Sequence, residues 1–310
     1  GVLFSNDILY GQGLREKDGT VSGFEVAPGN RYKMYEVDWT DMIQPRLGVN
    51  WDYSDTSAVY ANYSRYNPSA SSLARAASWD RNLRRSIDVR FDADGNFIEI
   101  DPVRSSSGKV FQEGLKPRKI DEFLIGWKSQ VSSEFTLRAH ARYREGGNFW
   151  EDTANTDRVN FAAGVEGVPQ ELYVPNLDAI RAEIGGSSYV IAQLDTAYTK
   201  YWEVSAEAEW SRDNFFVSGS YTWSHYYGNF DQDNTTTSND ANTFIGSSLI
   251  ADGAGRQVWN FRDGDLRGDR RHILKLFGYY QLDWDGQVGA YMVYQSGQPW
   301  EAWDVEIYRD

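Results

Sequence analysis

The hydrophobic pattern of the chain has a period of two. From Phe135 to Arg144, the residues Phe135, Leu137, Ala139, Ala141 and Tyr143 share one face of an extended strand, and Thr136, Arg138, His140, Arg142 and Arg144 share the other. Strands of this kind recur as four hairpins: Met42 to Tyr53 with Ala58 to Tyr66, Ile120 to Val131 with Phe135 to Arg144, Tyr201 to Arg212 with Phe215 to Phe230, and Gly268 to Leu282 with Gln287 to Gln298. Each turns on a few residues, at Ser54 to Ser57, Ser132 to Glu134, Asp213-Asn214 and Asp283 to Gly286. Long polar segments separate the hairpins: Asn67 to Leu115, Glu145 to Thr199 and Asp231 to Asp265. Gly1 to Trp39 is expected to hold an earlier strand and its loop. Within the loops, Val89 to Phe91 and Phe97 to Ile100 flank Asp94-Gly95, which predicts a small hairpin on a two-residue primed turn. Asn176 is placed to cap a short helix from Leu177 to Ile184.

An apolar face backed by a charged one means two different solvents. In a soluble sandwich the apolar face is the core; in a transmembrane barrel it meets lipid, and the polar face lines a lumen. The connections decide between the two. Compact domains join their elements by a median of about 4 to 6 residues, whereas here short turns alternate strictly with very long loops. Membrane barrels have this asymmetry, with short turns at one rim and long loops at the other. The fold class expected is therefore all-β, an antiparallel up-and-down transmembrane β-barrel with short periplasmic turns and long extracellular loops.

The polar faces point the same way. On Tyr201 to Trp210 the apolar series is Trp202, Val204, Ala206, Ala208 and Trp210, and the opposite series is Glu203, Ser205, Glu207 and Glu209. Consecutive strands of such a barrel pair, so this carboxylate ladder is expected beside the cationic ladder Arg138 to Arg144, each cross-strand pair contributing about 0.2–1 kcal/mol. A solvated outer face would carry such pairs too. Trp127, Trp202, Trp210 and Trp223 fall on the apolar series, where a core would bury them and a lipid belt would leave them at the headgroups.

Composition narrows the classes. With 310 residues, 41% of them hydrophobic, the chain holds one large β domain or two ordinary ones. The 15% aromatic share, including 12 Trp and 20 Tyr, is high for a soluble domain and usual at a membrane interface. A mean hydropathy of -0.61 and the lack of any long apolar run exclude a helical membrane protein. The absence of cysteine removes disulfides, thiolate metal sites and thiol nucleophiles. A net charge of -14 argues against nucleic acid as a partner. Gly1 to Phe4 carries no initiator Met or signal pattern and Trp300 to Asp310 trails off in polar residues, so a segment of a longer chain is expected.

Several stretches resemble a known family. Gln44-Pro45-Arg46-Leu47-Gly48-Val49-Asn50-Trp51-Asp52-Tyr53, followed by Ala58 to Tyr66, resembles the PRLG strand and its successor in TonB-dependent outer-membrane receptors. Leu115-Lys116-Pro117-Arg118 to Gly126 is similar to that family's L-x-P-E-x-x-x-E-x-x-x-G strand, with Arg118 where Glu is usual. Asp269-Arg270-Arg271-His272 and Ser296-Gly297-Gln298-Pro299 resemble the D-R-R-H strand and S-G-x-P loop entry of the large-looped, Oar-like branch. The resemblance implies the C-terminal part of a barrel of roughly 22 strands, about eight or nine of them here, within one barrel domain spanning 1–310. It also implies a plug domain, a TonB box and first strands outside these residues.

The candidate chemistry is binding rather than catalysis. No Ser-His-Asp spacing, phosphate loop or HExxH is present, and no cofactor or metal is expected. Asp92-Ala93-Asp94-Gly95-Asn96 echoes a calcium loop but has no Glu at its twelfth position, and a hairpin turn accounts for it. Asp231 to Asn234 with Asn239-Asp240 offers hard oxygen ligands; the plainer reading is a solvated loop. Arg267-Gly268-Asp269 is an adhesion tripeptide in letters only. Arg75, Arg81, Arg84, Arg85 and Arg90 balance nearby Asp residues or meet an anionic ligand or lipopolysaccharide. The candidate ligand-binding residues are Arg138, His140, Arg142, Arg144, Glu203 and Glu207 in the lumen, with Trp150, His225, Tyr226, Tyr227, Trp259 and Phe261 supplying aromatic surface on loops and upper lumen.

The reading favoured is an outer-membrane receptor that takes up a scarce siderophore, carbohydrate or peptide, with lipid, lipopolysaccharide and the TonB complex as partners. One alternative is a surface-binding or secretion-related barrel without active transport. Another is a soluble carbohydrate-binding β domain.

Overall fold

A computed structural model describes residues 1–21, 23–69, 84–86, 89–100, 104–111, 114–153, 183, 187–194, 197–230 and 263–300. One sheet of ten strands carries the alternating segments. Its strands are β1 (Val2–Phe4), β4 (Ile43–Ser54), β5 (Ser57–Tyr66), β10 (Lys119–Gln130), β11 (Phe135–Gly147), β14 (Thr199–Arg212), β15 (Phe215–Gly228), β16 (Gly264–Asp265), β17 (His272–Gln281) and β18 (Gln287–Gln295). They lie side by side in the order β1-β4-β5-β10-β11-β14-β15-β17-β18, with β16 attached to β15. Every pairing is antiparallel. The four expected hairpins are all present with ends shifted by a few residues, the largest shift being at β17, which begins at His272 rather than Gly268. Gly1 to Trp39 holds the expected earlier strand, β1, and its loop.

Register sorts the residues into two continuous faces. The row Leu47, Tyr63, Phe123, Tyr143, Trp202 crosses five strands on one face, and Val49, Ala61, Ile125, Ala141, Val204, Trp223 runs beside it. No second layer covers this face among the described residues: Leu47 is 62%, Val49 63% and Trp51 66% exposed. A water-facing surface of that kind would be an aggregation hazard, and a core would bury it. The apolar face is therefore the lipid face.

Its rings gather at two heights. Tyr63, Phe123, Tyr143, Trp202 and Trp223 lie toward the loop ends of their strands; Trp51, Tyr53, Trp127, Phe135, Trp210, Phe215 and Tyr280 lie toward the turns. Trp127 Nε1 donates to the Tyr53 hydroxyl at 2.7 Å, and Trp210 and Phe215 meet edge-on at 5.4 Å. Trp202 and Trp210 are separated by about 26 Å of strand, or about 20 Å once a tilt near 40° is allowed for, close to the apolar band of a barrel wall.

Two motif glycines make room on the opposite face. A Cβ at Gly126 would lie 2.2 Å from the Tyr60 ring, and one at Gly48 would lie 2.5 Å from Asn62 Oδ1. Gly126 therefore lets a cross-strand ring lie flat against the backbone, which gives a physical reason for glycine at the end of that sequence motif.

The buried hydrophobic side chains sit mostly above the sheet. The segment between β1 and β4 forms a long hairpin, β2 (Asp7–Glu16) with β3 (Phe24–Val37). Tyr35, Val37 and Met42 pack with Trp150, and Leu9, Met34 and Leu115 close around them. Three loops thus share one core. A second, four-stranded sheet binds two of them: β6 (Arg84–Ser86), β9 (Arg104–Phe111), β12 (Phe149–Thr153) and β13 (Ser187–Leu194), in the order β12-β13-β9-β6. The β9–β13 pairing is parallel and joins loops from either side of the β10–β11 hairpin.

The small hairpin expected inside the β5–β10 loop is present as β7 (Val89–Phe91) and β8 (Phe97–Ile100). Its turn is longer than the expected primed pair. Gly95 N–H donates to the Asp92 carbonyl at 3.1 Å, Asp92 N–H to the Asn96 carbonyl at 2.9 Å, and only Gly95 in the turn takes positive φ, 83°. The Asp92 carboxylate favours this closure by accepting the Asp94 and Asn96 amides at 2.9 and 2.8 Å. The helix expected at Leu177 to Ile184 lies, apart from Glu183, outside the described residues.

Two substitutions separate the faces. Ala206→Arg, on the lipid face between Trp202 and Trp210, is expected to cost about 2–4 kcal/mol of barrel stability, while Asn62→Arg, on the other face, is expected to be tolerated; heat-modifiability of the membrane-inserted protein on gels reads both. Gly126→Val is expected to lower the unfolding temperature by displacing the Tyr60 ring, and a second change, Tyr60→Ser, is expected to recover much of the loss.

Candidate functional site on the lumen wall

The inward face of β11 and β14 carries the charges. Strand pairing sets Arg138 opposite Glu207, His140 opposite Ser205 and Arg142 opposite Glu203, so the cationic and carboxylate ladders lie side by side as expected. Arg138 pairs with Glu207 and lies 2.9 Å from Glu209. His140 Nε2 lies 2.9 Å from Glu203 Oε1, which Arg142 reaches at 3.2 Å. Tyr201 donates its hydroxyl to the same carboxylate. One strand away, Glu122 receives Arg144 and stands 3.6 Å from Arg142 Nε. Glu203 is buried, so its carboxylate depends on these three donors for the hydration it has lost. The result is a continuous charge lattice across β10, β11 and β14 in which each arginine is met by carboxylate.

A second cluster closes the rim where β15 meets β17. Asp269 is buried and accepts the Tyr226 backbone N–H at 2.6 Å, with Arg271 at 3.4 Å from its other oxygen. Arg271 also reaches Asp265 at 3.0 Å, and Asp265 lies 2.6 Å from His225 Nε2. Arg270 bonds the Gln298 side chain at 3.0 Å, while His272 N–H donates to the Ser296 hydroxyl at 3.1 Å. The two terminal sequence motifs are thus one device, a bracket that fixes the entry of β17 and the exit of β18. Asp269 is consumed inside it, which leaves no free adhesion tripeptide.

Strand alternation separates three residues that the sequence groups together. Tyr226 faces the lumen beside Tyr201, with ring centroids 6.4 Å apart. His225 and Tyr227 belong to the outward series of Trp223, and His225 meets Trp202 at 6.2 Å and Tyr227 at 4.6 Å. Trp150 is 2% exposed; it packs edge-on to Tyr35 at 5.1 Å and donates its indole N–H to the Lys116 carbonyl at 2.8 Å, so its ring is spent on joining loops. Trp259 and Phe261 lie outside the described residues, as do Asp231 to Asp240 and the side chains of Arg75, Arg81, Arg84 and Arg85. Arg90 pairs with Glu99 at 2.9 Å. Among the described residues no cluster of His and carboxylates is arranged to hold a metal.

The rim bracket and the pairing of loops are what the sequence reading leaves out. Asp265 and Asp269 carry no periodic signal, although Asp269 stands in a motif quoted above. Tyr189-Val190-Ile191 is a run of aromatic and β-branched residues that marks β13 but not its partner.

Two measurements test the bracket. Asp269→Ala leaves the buried Tyr226 N–H without its acceptor and Arg271 with Asp265 alone, and is expected to cost about 1–3 kcal/mol, read by thermal unfolding, with Asp269→Asn recovering part of it. The hydrogen bond with His225, and then the Arg271 charge, hold the Asp265 carboxyl below its ordinary value against partial desolvation. A lowered pKa means stabilisation that is present above the ordinary carboxylate range and lost as pH falls through the lowered value. Hydrogen exchange at the rim is expected to accelerate over that acid window in the native protein, and to do so less in Asp265→Asn.

Comparison with known proteins follows the same lines. No curated protein matches the chain. Among solved structures it is similar to the alcaligin outer-membrane receptor FauA of Bordetella pertussis (14% identity, 86% of this chain and 31% of that one, TM-score 0.40). It is also similar to the outer-membrane transporter YddB of Escherichia coli (13%, 87% and 29%, 0.45) and to the FrpB iron transporter of Neisseria meningitidis (10%, 86% and 27%, 0.43). The chain spans less than a third of each of these proteins. The profile of the family described as TonB dependent receptor-like, beta-barrel matches residues 9–305, a family of Gram-negative outer-membrane transporters rather than enzymes, and the chain belongs to it.

Proposed function

We propose that this chain forms part of the barrel of a receptor that binds a scarce ligand at the cell surface and takes it up through a plugged lumen, with energy delivered by the TonB complex. Residues 1–310 are one stretch of a single barrel domain in this reading, and the plug and TonB box belong to the rest of the protein. The observation that carries it is the sheet's division between two solvents: a bare apolar face ringed by aromatics, and a reverse face whose charges neutralise one another around a wet interior. Ligand contact falls to the upper lumen wall, at Arg142, Arg144, Glu203 and Tyr226, and to the loops above it. The ring surface at the loop-side rim, with His225 and Tyr227, meets lipid headgroups and lipopolysaccharide.

A surface-binding platform without transport is the second reading, favoured by the shared core of three loops, which gives a platform its rigidity. Energy coupling separates the two. In cells carrying the full-length receptor, removal of the TonB box is expected to abolish receptor-dependent depletion of a medium component while surface binding of that component persists. Depletion that continues unchanged without the box overturns the uptake reading.

A further inference from the structure

The outward face carries a charge pattern of its own, just beyond the loop-side belt of rings. Arg65, Asp121, Glu145 and Lys200 stand two residues past Tyr63, Phe123, Tyr143 and Trp202 on the same outward series, and strand pairing sets them in one row, with Lys119 one step further out on β10. Two residues of strand are about 7 Å, which puts the row at the height of lipid headgroups. Arg65 spends Nε and Nη2 on the two Asp121 oxygens, at 2.8 and 3.0 Å, and leaves Nη1 outside the pair. The Tyr63 hydroxyl donates to the same carboxylate at 2.8 Å. Lys119 and Lys200 make no ion pair among the described residues, although Lys200 lies 5.1 Å from the centre of the Tyr198 ring. Glu145, on the strand between them, accepts the Tyr143 hydroxyl at 3.4 Å. In a chain of net charge -14, cations thus outnumber carboxylates along this part of the rim.

Below the row the lipid face is hollowed. Tyr63 leans on Phe123, with ring centroids 4.9 Å apart, and beside these rings runs a groove of about 570 Å³ where Ala61 and Ala141 stand low among Leu47, Val49 and Ile125. Its residues belong to four consecutive strands in the middle of the sheet, so its shape is set by neighbours that are all present. An apolar groove beneath unpaired ammonium groups matches a lipid whose chain lies along the wall and whose headgroup is anionic. Glu145 stands between Lys119 and Lys200, so the two lysines attract two separate phosphates rather than converge on one. A second copy of the chain fits less well, because an isologous contact through the groove would bring the unpaired lysines of both copies together.

We propose that the outward face of β4, β5, β10, β11 and β14 holds one bisphosphorylated glycolipid of the outer leaflet, with the chemistry of lipid A. An acyl chain fills the groove over Ala61; one phosphate meets Lys119 and the spare edge of Arg65, and the other meets Lys200. This rests on the membrane-barrel part of the uptake reading and names a specific partner for its outer face.

Native mass spectrometry of the detergent-purified full-length receptor tests it, with bisphosphorylated lipid A, its monophosphorylated form and dioleoylphosphatidylglycerol as probes. Wild-type protein is expected to bind the bisphosphorylated form about tenfold more tightly than either of the others. Lys119→Gln and Lys200→Gln are each expected to weaken that affinity about fivefold and to leave phosphatidylglycerol unchanged, with Lys119→Arg and Lys200→Arg restoring it. Ala61→Leu, which fills the groove, is expected to weaken lipid A binding about fivefold with the lysines intact. Equal affinity for the three probes, or unchanged lipid A affinity in the double Lys→Gln variant or in Ala61→Leu, overturns the proposal and leaves only unselective annular lipid. A receptor dimer that lipid A does not dissociate overturns it in favour of a second copy. Heat-modifiability equal to wild type shows that a variant's lost binding is not lost folding. Lipid binding is read without energy coupling, so these failures are distinct from failure of TonB-dependent depletion.

Discussion

Backbone pairing in hydrocarbon is the constraint on which everything else depends. An unpaired N–H or C=O facing lipid costs several kcal/mol, so each wall strand must have its ladder bonds satisfied by its neighbours. The pairings from β4 through β18 meet that demand, and in doing so they fix register. A slip of one residue between β11 and β14 would send Arg138, Arg142 and Arg144 into lipid and turn Phe135 and Tyr143 inward. The arginine–glutamate lattice and the aromatic face are thus opposite sides of one register choice, each penalising the error that the other would suffer from.

The hydrophobic core usual in a globular protein has moved above the membrane. Between the lipid face and the lumen there is only one layer of sheet, and no interior to fill. The side chains that do pack densely, Tyr35, Val37, Met42 and Trp150, come from two different loops, and Leu115 of a third packs against them. Length in these loops therefore serves a second compact structure resting on the barrel rim, with its own core and its own sheet.

How much of this is legible in the sequence depends on the range of the interaction. Period-two alternation is local, so the four hairpins and the neighbouring Arg138–Arg144 and Glu203–Glu209 ladders can be read directly. Glycine at position 126 belongs to a recognisable motif, but its reason, the Tyr60 ring, sits on another strand. The turn at Asp92 to Asn96 departs from the primed pair because one carboxylate organises its amides, a side-chain effect that dipeptide preference does not carry. His225, Tyr226 and Tyr227 read as one aromatic patch in sequence and split across the wall in space. The meeting of β9 with β13 depends on the barrel having already brought their loops together, and no window of sequence contains that information.

That meeting also sets an order of assembly. Ser106 and Ser187 pair in parallel across a stretch of chain that includes the whole β10–β11 hairpin. Closing so long a contour in an unfolded chain is entropically slow, but once β10 and β11 stand antiparallel their upper ends are adjacent and the effective loop shrinks to the two outer segments. The loop sheet is therefore a late product of barrel formation. It closes only over a wall that is already correct, which makes it a structural checkpoint on the strands beneath.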